Sequence, residues 1–366
     1  MKAELTAADY QRYNRQIRLE EFGPEGQLQI KNSSVFIIGA GGLGCPVLLY
    51  LAAAGIGKIG IADFDRVDLS NLHRQVLYST HDVGQYKTEV LQVYMQCHFP
   101  DVGFFPFHHK IDPENILDLI KDYDVVIDGS DNYLTKYLVN DACVMLNKPL
   151  IFGSIYKFEG QIAVFNYKNG PTYRCLYPEM GELDNCSEIG VLGTLPGIVG
   201  SIMANETIKV LTGIGETLSG KLLVFDSLYF KFSSFSIALD EDNKRISTLT
   251  SDFADCQYQE GDITFAELNE KLNKSTDHVL LIDVRGEHEH NHFNIGGLNI
   301  PLAMLENSFS DVADQFRFKN AGSIVVYCKS GFRSSKASAI LKQHQIQNVF
   351  SLKGGLDLVE NTIDNS

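Results

Sequence analysis

The sequence predicts an α/β protein, a doubly wound sheet domain followed by a second, smaller α/β domain. Three observations predict it. Apolar strand-like runs alternate with helix-like stretches along most of the chain. A glycine-rich turn, Gly39-Ala40-Gly41-Gly42-Leu43-Gly44, joins a β-branched run to an apolar helix. A second alternating unit follows a polar segment, and one of its strand-like runs ends at Cys328.

Ser34–Gly39 reads as a buried strand, and the helix opened by the glycine turn runs to about Gly55. Lys58–Asp63 is a second strand, Lys87–His98 a helix, Tyr123–Gly129 a strand, Lys136–Leu146 a helix and Pro149–Gly153 a strand. This alternation implies a parallel sheet covered on both faces. Gly160–Asn166 and Lys221–Asp226 read as further strands, and Ile198–Leu211 as a helix ended by Gly213. The stretch Asn32–Gly57 carries no charge, but its glycines and Pro46 make it a strand–turn–helix rather than a membrane span. Composition turns polar across Asp240–Asp262. The expected division is a domain at 1–245, a linker at 246–260 and a domain at 261–366. The second domain reads as helix Thr264–Leu272, strand Val279–Val284, strand Ser323–Tyr327, helix Ser335–Gln343 and strand Asn348–Leu352.

The 366 residues carry a net charge of −15, which argues against nucleic acid or an anionic membrane as partner. The N-terminus shows no signal-peptide pattern. Seven cysteines, Cys45, Cys97, Cys143, Cys175, Cys186, Cys256 and Cys328, are scattered without a disulfide framework, as expected of a cytoplasmic protein.

Gly39, Gly41, Gly42 and Gly44 permit a tight turn and let phosphates approach the backbone at a helix N-terminus. Asp63, at the end of the next strand, is placed to hold ribose hydroxyls. Taken alone, this is a nucleotide signal with NAD as its default. Arg74 and Lys87 move the reading to a triphosphate, because a dinucleotide rarely needs two cations there. Asp131-Asn132 follows the strand ending at Asp128, where a carboxylate suits Mg²⁺.

Together with Arg12-Tyr13-x-Arg15-Gln16, Asp63-Phe64-Asp65, Ser70-Asn71-Leu72-x-Arg74-Gln75 and Gly84-x-x-Lys87, these motifs resemble the MoeB/ThiF family over about residues 5–235. That family adenylates ubiquitin-like sulfur carrier proteins. The resemblance implies a Rossmann-like domain that binds ATP through Gly42, Asp63, Asp65, Asn71, Arg74, Lys87, Asp131 and Asn132, with Asp131 near Mg²⁺. It also implies that Arg15 reaches the nucleotide across a homodimer interface. Cys186, in a polar loop, matches the family cysteine implicated in thioester or acyl-disulfide chemistry. Many members bind structural zinc through two CxxC pairs. Here each pair keeps one cysteine, Cys175 and Cys256, so no zinc is expected. The run Glu287-His288-Glu289-His290-Asn291-His292 looks metal-like but reads as solvated surface.

In the second domain Cys328-Lys329-Ser330-Gly331-Phe332-Arg333-Ser334 joins a strand to a helix. Backbone N–H groups curled around Cys328 would hold an anion and favour a thiolate. With Leu281-Ile282-Asp283-Val284-Arg285, Glu289, Gly296-Gly297 and Gly354-Gly355-Leu356, the loop resembles rhodanese over about residues 261–358. A phosphatase of related fold is the competitor, but its loop is one residue longer between nucleophile and Arg. The resemblance implies that Cys328 carries a persulfide, with Arg333 and the loop amides stabilising the anion and Asp283 and Arg285 bracing the loop.

The two halves together point to adenylation of a carrier of MoaD or ThiS type ending in Gly-Gly, then sulfur transfer to give a thiocarboxylate. The expected sulfur donor is a cysteine desulfurase or thiosulfate, and the pathway is molybdopterin, thiamine or thiolation chemistry. Two alternatives stand beside it. In one, the rhodanese domain only binds carrier or donor. In the other, the chain is a redox-sensing scaffold without activity.

Overall fold

The computed structural model describes residues 4–178, 190–249, 262–273, 278–307, 309, 322–329, 331–356 and 359. They fall into two units, Met1–Leu249 and Thr250–Ser366.

The first unit is built on an eight-stranded sheet: β1 Ser34–Ile38, β2 Lys58–Ala62, β3 Gly103–Phe107, β4 Val125–Asp128, β5 Leu150–Tyr156, β6 Glu159–Phe165, β7 Lys221–Asp226 and β8 Lys231–Ser236. Their order across the sheet is β3-β2-β1-β4-β5-β6-β7-β8. Neighbours from β3 to β5 run parallel. Those from β5 to β8 run antiparallel. The expectation of a parallel sheet is corrected in this second half: β6, β7 and β8 have no helix between β5 and β6 or between β7 and β8, so hairpins replace crossovers. β1 and β4 are neighbours although β2 and β3 come between them in the chain. The strand order therefore reverses beside β1, and the crevice at the carboxyl ends there is where α/β sheets bind ligands.

Val35–Ile38 are fully buried, as are the inward residues of β2 and β4. The helix Gly44–Ala54 covers them with Val47, Leu48, Leu51 and Ala52, all at 0% exposure. Against it lies the helix Leu195–Thr212, so close that a Cβ on Gly200 would sit 2.4 Å from Pro46 Cγ. No helix among the described residues is long and apolar enough to cross a membrane.

The second unit is a four-stranded parallel sheet in the order β10-β9-β11-β12, with β9 Val279–Asp283, β10 Leu298–Asn299, β11 Ser323–Tyr327 and β12 Val349–Ser351. The helices Phe265–Asn273, Glu287–His292, Leu302–Asn307 and Phe332–Gln343 accompany it. Two expectations are corrected here. The last helix begins at Phe332 rather than Ser335, directly behind Gly331, which has φ +94°. The histidine run is a helix, and only part of it is solvated: Glu287, His288, Asn291 and His292 are exposed, whereas Glu289 and His290 turn inward.

Candidate functional sites

In the first unit the chain leaves β1 through Gly39, with φ +90°, and re-enters a helix at Gly44. A Cβ on Gly44 would lie 1.9 Å from the Gly39 carbonyl oxygen, so the turn closes only with glycine there. The N–H of Ala40 donates to Asp63 Oδ2 at 2.7 Å. Asp63 Oδ1 accepts from the N–H of Asp65 at 2.8 Å. Asp63 is thereby tied to the glycine turn and to its own loop. Lys87, 4% exposed, heads the helix Lys87–His98 and donates to Asp65 Oδ2 at 2.8 Å, with Asp63 Oδ2 at 3.8 Å. Burial alone would lower the Lys87 ammonium. The charges of Asp63, Asp65 and Asp131 outweigh it and raise its pKa, so Lys87 stays cationic.

Arg74 follows the short turn Leu69–Asn71, and its Nη1 donates to the Ser70 carbonyl at 3.0 Å. A Cβ on Gly42 would lie 3.6 Å from Arg74 Cγ, which puts the Arg74 stem along the glycine turn. Asn71 Oδ1 accepts from the N–H of Asp68 at 3.2 Å. Asn132 caps the helix Tyr133–Met145, its Oδ1 accepting from Thr135 N–H at 2.8 Å. Asp131 is exposed at the end of the β4 loop. Arg15 is exposed on the short helix Asn14–Ile17.

The structure adds residues that the sequence reading did not assign. Buried Lys136 reaches Asp128 Oδ2 at 3.4 Å and donates to the carbonyls of Ser130 and Gly153 at 2.8 and 3.0 Å, which fixes the loop before Asp131. Tyr78 donates to the Ala40 carbonyl at 2.8 Å and props the glycine turn from below. Gln75 Oε1 and Ser130 Oγ are buried side-chain atoms without a hydrogen-bond partner. Both residues border the turn: Cβ atoms on Gly41 and Gly39 would lie 3.7 Å from Gln75 Nε2 and 3.4 Å from Ser130 N. Orphaned polar groups of this kind call for a ligand. They are the structural sign that the cradle fits a nucleotide.

In the second unit Cys328 is 1% exposed at the end of β11. Its Sγ accepts from the N–H groups of Gly331 and Ser334 at 3.2 and 3.4 Å, and meets Ser334 Oγ at 3.6 Å. The N-terminus of the helix Phe332–Gln343 points at the same sulfur. A Cβ on Gly355 would lie 2.4 Å from the carbonyl oxygens of Cys328 and of Lys329, and Leu356 N–H donates to Cys328 O at 2.9 Å. The turn after β12 thus backs the cysteine loop. Arg333 forms a fork with Glu289 at 2.9 and 3.0 Å. Burial would raise the Glu289 carboxyl, but hydrogen bonding and charge from Arg333 hold it below its usual range. Asp283 and Arg285 pair with each other, Nη2 to Oδ2 at 2.7 Å, and Asp283 Oδ2 also meets His290 Nδ1 at 2.9 Å. These contacts brace the segment that carries Glu289. The same segment also meets the base of the cysteine loop: Arg285 Cζ lies 6.0 Å from the centroid of the Tyr327 ring, and Val284 N–H donates to the Tyr327 carbonyl at 3.0 Å.

Cys186 and Cys256 lie outside the described residues. Cys45 and Cys143 are fully buried, and burial pushes the Cys45 thiol up to about 12 and the Cys143 thiol upward too. Cys175 Sγ accepts from the N–H groups of Thr172 and Asp240 at 3.3 and 3.4 Å, fastening the Tyr173–Leu176 helix to the segment at Asp240. The described residues contain no group of three or more His, Cys, Asp or Glu arranged to hold a metal ion.

Comparison with known proteins agrees with this geometry. The ThiF family model matches residues 13–246, and the rhodanese-like domain model matches residues 264–362. A sulfur carrier protein adenylyltransferase of Thermus thermophilus is 49% identical over 63% of this chain and 89% of its own length. A probable adenylyltransferase/sulfurtransferase MoeZ of Mycobacterium tuberculosis is 40% identical over 96% of this chain and 93% of its own. The adenylyltransferase and sulfurtransferase MOCS3 of Aedes aegypti is 36% identical, over 99% and 89%. The crystal structure of Escherichia coli MccB with AMPCPP and MccA superposes on 63% of this chain and 72% of its own at a TM-score of 0.56, with 25% identity. The chain therefore belongs to the ThiF family, with a rhodanese-like domain following its adenylation domain.

Proposed function

We propose that the chain adenylates the C-terminal glycine of a ubiquitin-like sulfur carrier with ATP, then replaces the adenylate by sulfur to give a thiocarboxylate. The observation that carries the reading is the pairing on one chain of a cation-lined glycine turn and an amide-ringed cysteine. The carrier carboxylate attacks the α-phosphorus, and pyrophosphate leaves. Lys87 and Arg74 meet the charge that builds on the phosphates, an electrostatic task. Asp63 and Asp65 take the ribose side, Asn71 and Asn132 complete the cradle, and Arg15 of a second copy reaches in. Asp131 is an exposed carboxylate beside the cation cluster, and one carboxylate plus phosphates suits Mg²⁺. A bound Mg²⁺ would neutralise phosphate charge there.

Cys328 supplies the sulfur as a persulfide held by the Gly331 and Ser334 amides: its outer sulfur attacks the adenylated carbonyl and AMP leaves. A second thiol then attacks the Cys328 sulfur of the acyl disulfide, and the S–S bond breaks with its electron pair on the carrier's sulfur. A thiocarboxylate and a new disulfide result, the disulfide being reduced by an external thiol. Cys186 is the residue assigned to covalent relay. The linker is placed at 246–260, and no zinc is assigned. The test is the mass of a Gly-Gly-ending carrier incubated with the protein, ATP and a sulfur donor. A gain equal to exchange of one oxygen for sulfur is expected. No gain beside an active ATP–pyrophosphate exchange would reduce the chain to carrier activation alone.

A further inference from the structure

Behind the cysteine loop lies a pair of hydroxyl groups that the steps above do not use. Ser334 Oγ stands 3.6 Å from Cys328 Sγ and 2.8 Å from Ser351 Oγ. All three residues are buried, Cys328 at 1%, Ser334 at 0% and Ser351 at 2% exposure. They come from three elements. Cys328 follows β11, Ser334 lies in the first turn of the helix Phe332–Gln343, and Ser351 is the last residue of β12. Pairing of β12 with β11, Ser351 opposite Val326, fixes the place of the second hydroxyl.

Counting protons shows what the two hydroxyls can do. Each has one hydrogen to donate and two lone pairs to accept with. When Cys328 is a neutral thiol, its S–H donates to Ser334 Oγ, and Ser334 donates to the Gly331 carbonyl at 2.9 Å. A thiolate has no hydrogen to give, so Ser334 must turn its own toward the sulfur. Gly331 O then loses the hydroxyl but keeps the N–H of Ser335 at 3.0 Å. Ser334 Oγ keeps a donor as well, from Ser351. The turn strands no polar atom of this set, and a stranded buried atom is what would make it costly.

We infer that Ser351 is a positioning residue: its hydroxyl donates to Ser334 Oγ and so holds the Ser334 proton on the Cys328 sulfur whenever that sulfur is a thiolate. The inference rests on the reading of Cys328 as the sulfur carrier, since the thiolate is the form that attacks a sulfane sulfur. Hydrogen bonds in a chain polarise one another, and those to an ionised acceptor are the strong ones. Both hydroxyls keep their protons throughout, and the proton lost by the thiol passes to water.

The experiment titrates the ultraviolet absorbance of the thiolate in the full chain. Each protein is measured against its own Cys328→Ala counterpart, so that the other thiols cancel. The charged groups around the loop are Lys329 and Arg333, Glu289 paired with Arg333, Lys336 paired with Glu306, Lys353 after β12, and the Asp283, Arg285 and His290 group beside β9. A Ser351 variant alters none of them, so the shift it gives reads the hydroxyls. In Ser351→Ala the midpoint of the Cys328 signal is expected about 0.5–1 pH unit above wild type. Ser351→Thr keeps the hydroxyl and is expected to restore it. Adding Ser351→Ala to Ser334→Ala is expected to leave the Ser334→Ala midpoint in place, because the chain is already cut. A wild-type midpoint in folded Ser351→Ala, or a further rise in the double variant, overturns the inference. Should Ser351→Ala not fold, Ser351→Cys decides, because it keeps the volume and donates only weakly. A raised midpoint there supports the inference and an unchanged one contradicts it. The titration needs neither ATP nor a sulfur donor. The expected shifts in a chain that forms no persulfide would refute sulfur transfer and still support the role of Ser351 toward the thiolate.

Discussion

Lys87 Nζ stands 2.8 Å from Asp65 Oδ2, in a pocket where the lysine side chain is 5% exposed and Asp65 is half open to solvent. One end of the pair is locked by packing and the other opens to solvent, while Asp63, 3.8 Å from the same ammonium, is tied to the glycine turn through Ala40 N–H, so the ammonium is held in place. Lys87→Met should lower ATP–pyrophosphate exchange about 100-fold or more, the usual cost of removing one preorganised charge, or about 3 kcal/mol. Exchange within a factor of three of wild type would show that Lys87 serves the fold alone.

Gly44→Ala should destabilise the first unit by about 2–4 kcal/mol, since its Cβ would lie 1.9 Å from the Gly39 carbonyl oxygen and the backbone must give way. Denaturant unfolding followed by first-unit tyrosines measures this. A stable Gly44→Ala protein that binds ATP normally would contradict the described turn.

Cys328→Ala should end persulfide formation, while Ser334→Ala should slow it about tenfold, because the Ser334 N–H at 3.4 Å remains and only the hydroxyl at 3.6 Å is lost. Persulfide tagging after donor treatment reads both. Equal loss in the two variants would mean that Ser334 acts through packing against Ser351, whose Oγ is 2.8 Å away.

Acid and base should weaken the two units differently. Asp283 and Glu289 have pKa values below their ordinary 3.8 and 4.5, so the stability they contribute is present above those values and is lost as pH falls through them. Lys87 is raised above 10.5, so its contribution is present below that pH and is lost on the alkaline side. Hydrogen exchange of the full chain should show the second unit's site loosening below about pH 4 and the Lys87 region loosening above pH 10.5. The reverse assignment would refute both pairings.

Exhaustive chelation should leave zinc far below one per chain and the thermal midpoint unchanged. The Tyr173–Leu176 helix is already fastened: Arg174 reaches Asp141 at 2.8 and 2.7 Å, and Cys175 takes the Asp240 amide. A stoichiometric zinc would show that residues outside the described set complete a metal clip.

The glycine turn, Asp63, Lys87 and the Cys328 loop were legible in the sequence because each rests on short-range spacing. β3 was not, since Pro106 interrupts it and it lies at the sheet edge, where a missing donor is tolerated. β8, Lys-Phe-Ser-Ser-Phe-Ser, lacks alternation because no strand follows it and its side chains are largely exposed. Asn132 caps the next helix, which therefore starts at Tyr133, one turn before the Lys136 that the apolar pattern predicts. The Glu289–Arg333 fork joins residues 44 apart, and the Lys136–Asp128 pair is fully buried. Neither leaves a trace in local pattern, because both depend on how strands are ordered in a sheet.

The close seat of Gly355 against the Cys328 and Lys329 carbonyls sets an order of assembly during synthesis. Domains fold as they emerge from the ribosome, amino-terminal first. The nucleotide cradle is complete by the end of the first unit at Leu249, whereas the thiol loop lacks its backing until the turn after Ser351 has been made. A chain cut short upstream of that turn would keep the reactive cysteine and lose the geometry that tames it. Persulfide chemistry at Cys328 is thus tied to the turn after Ser351 having been made.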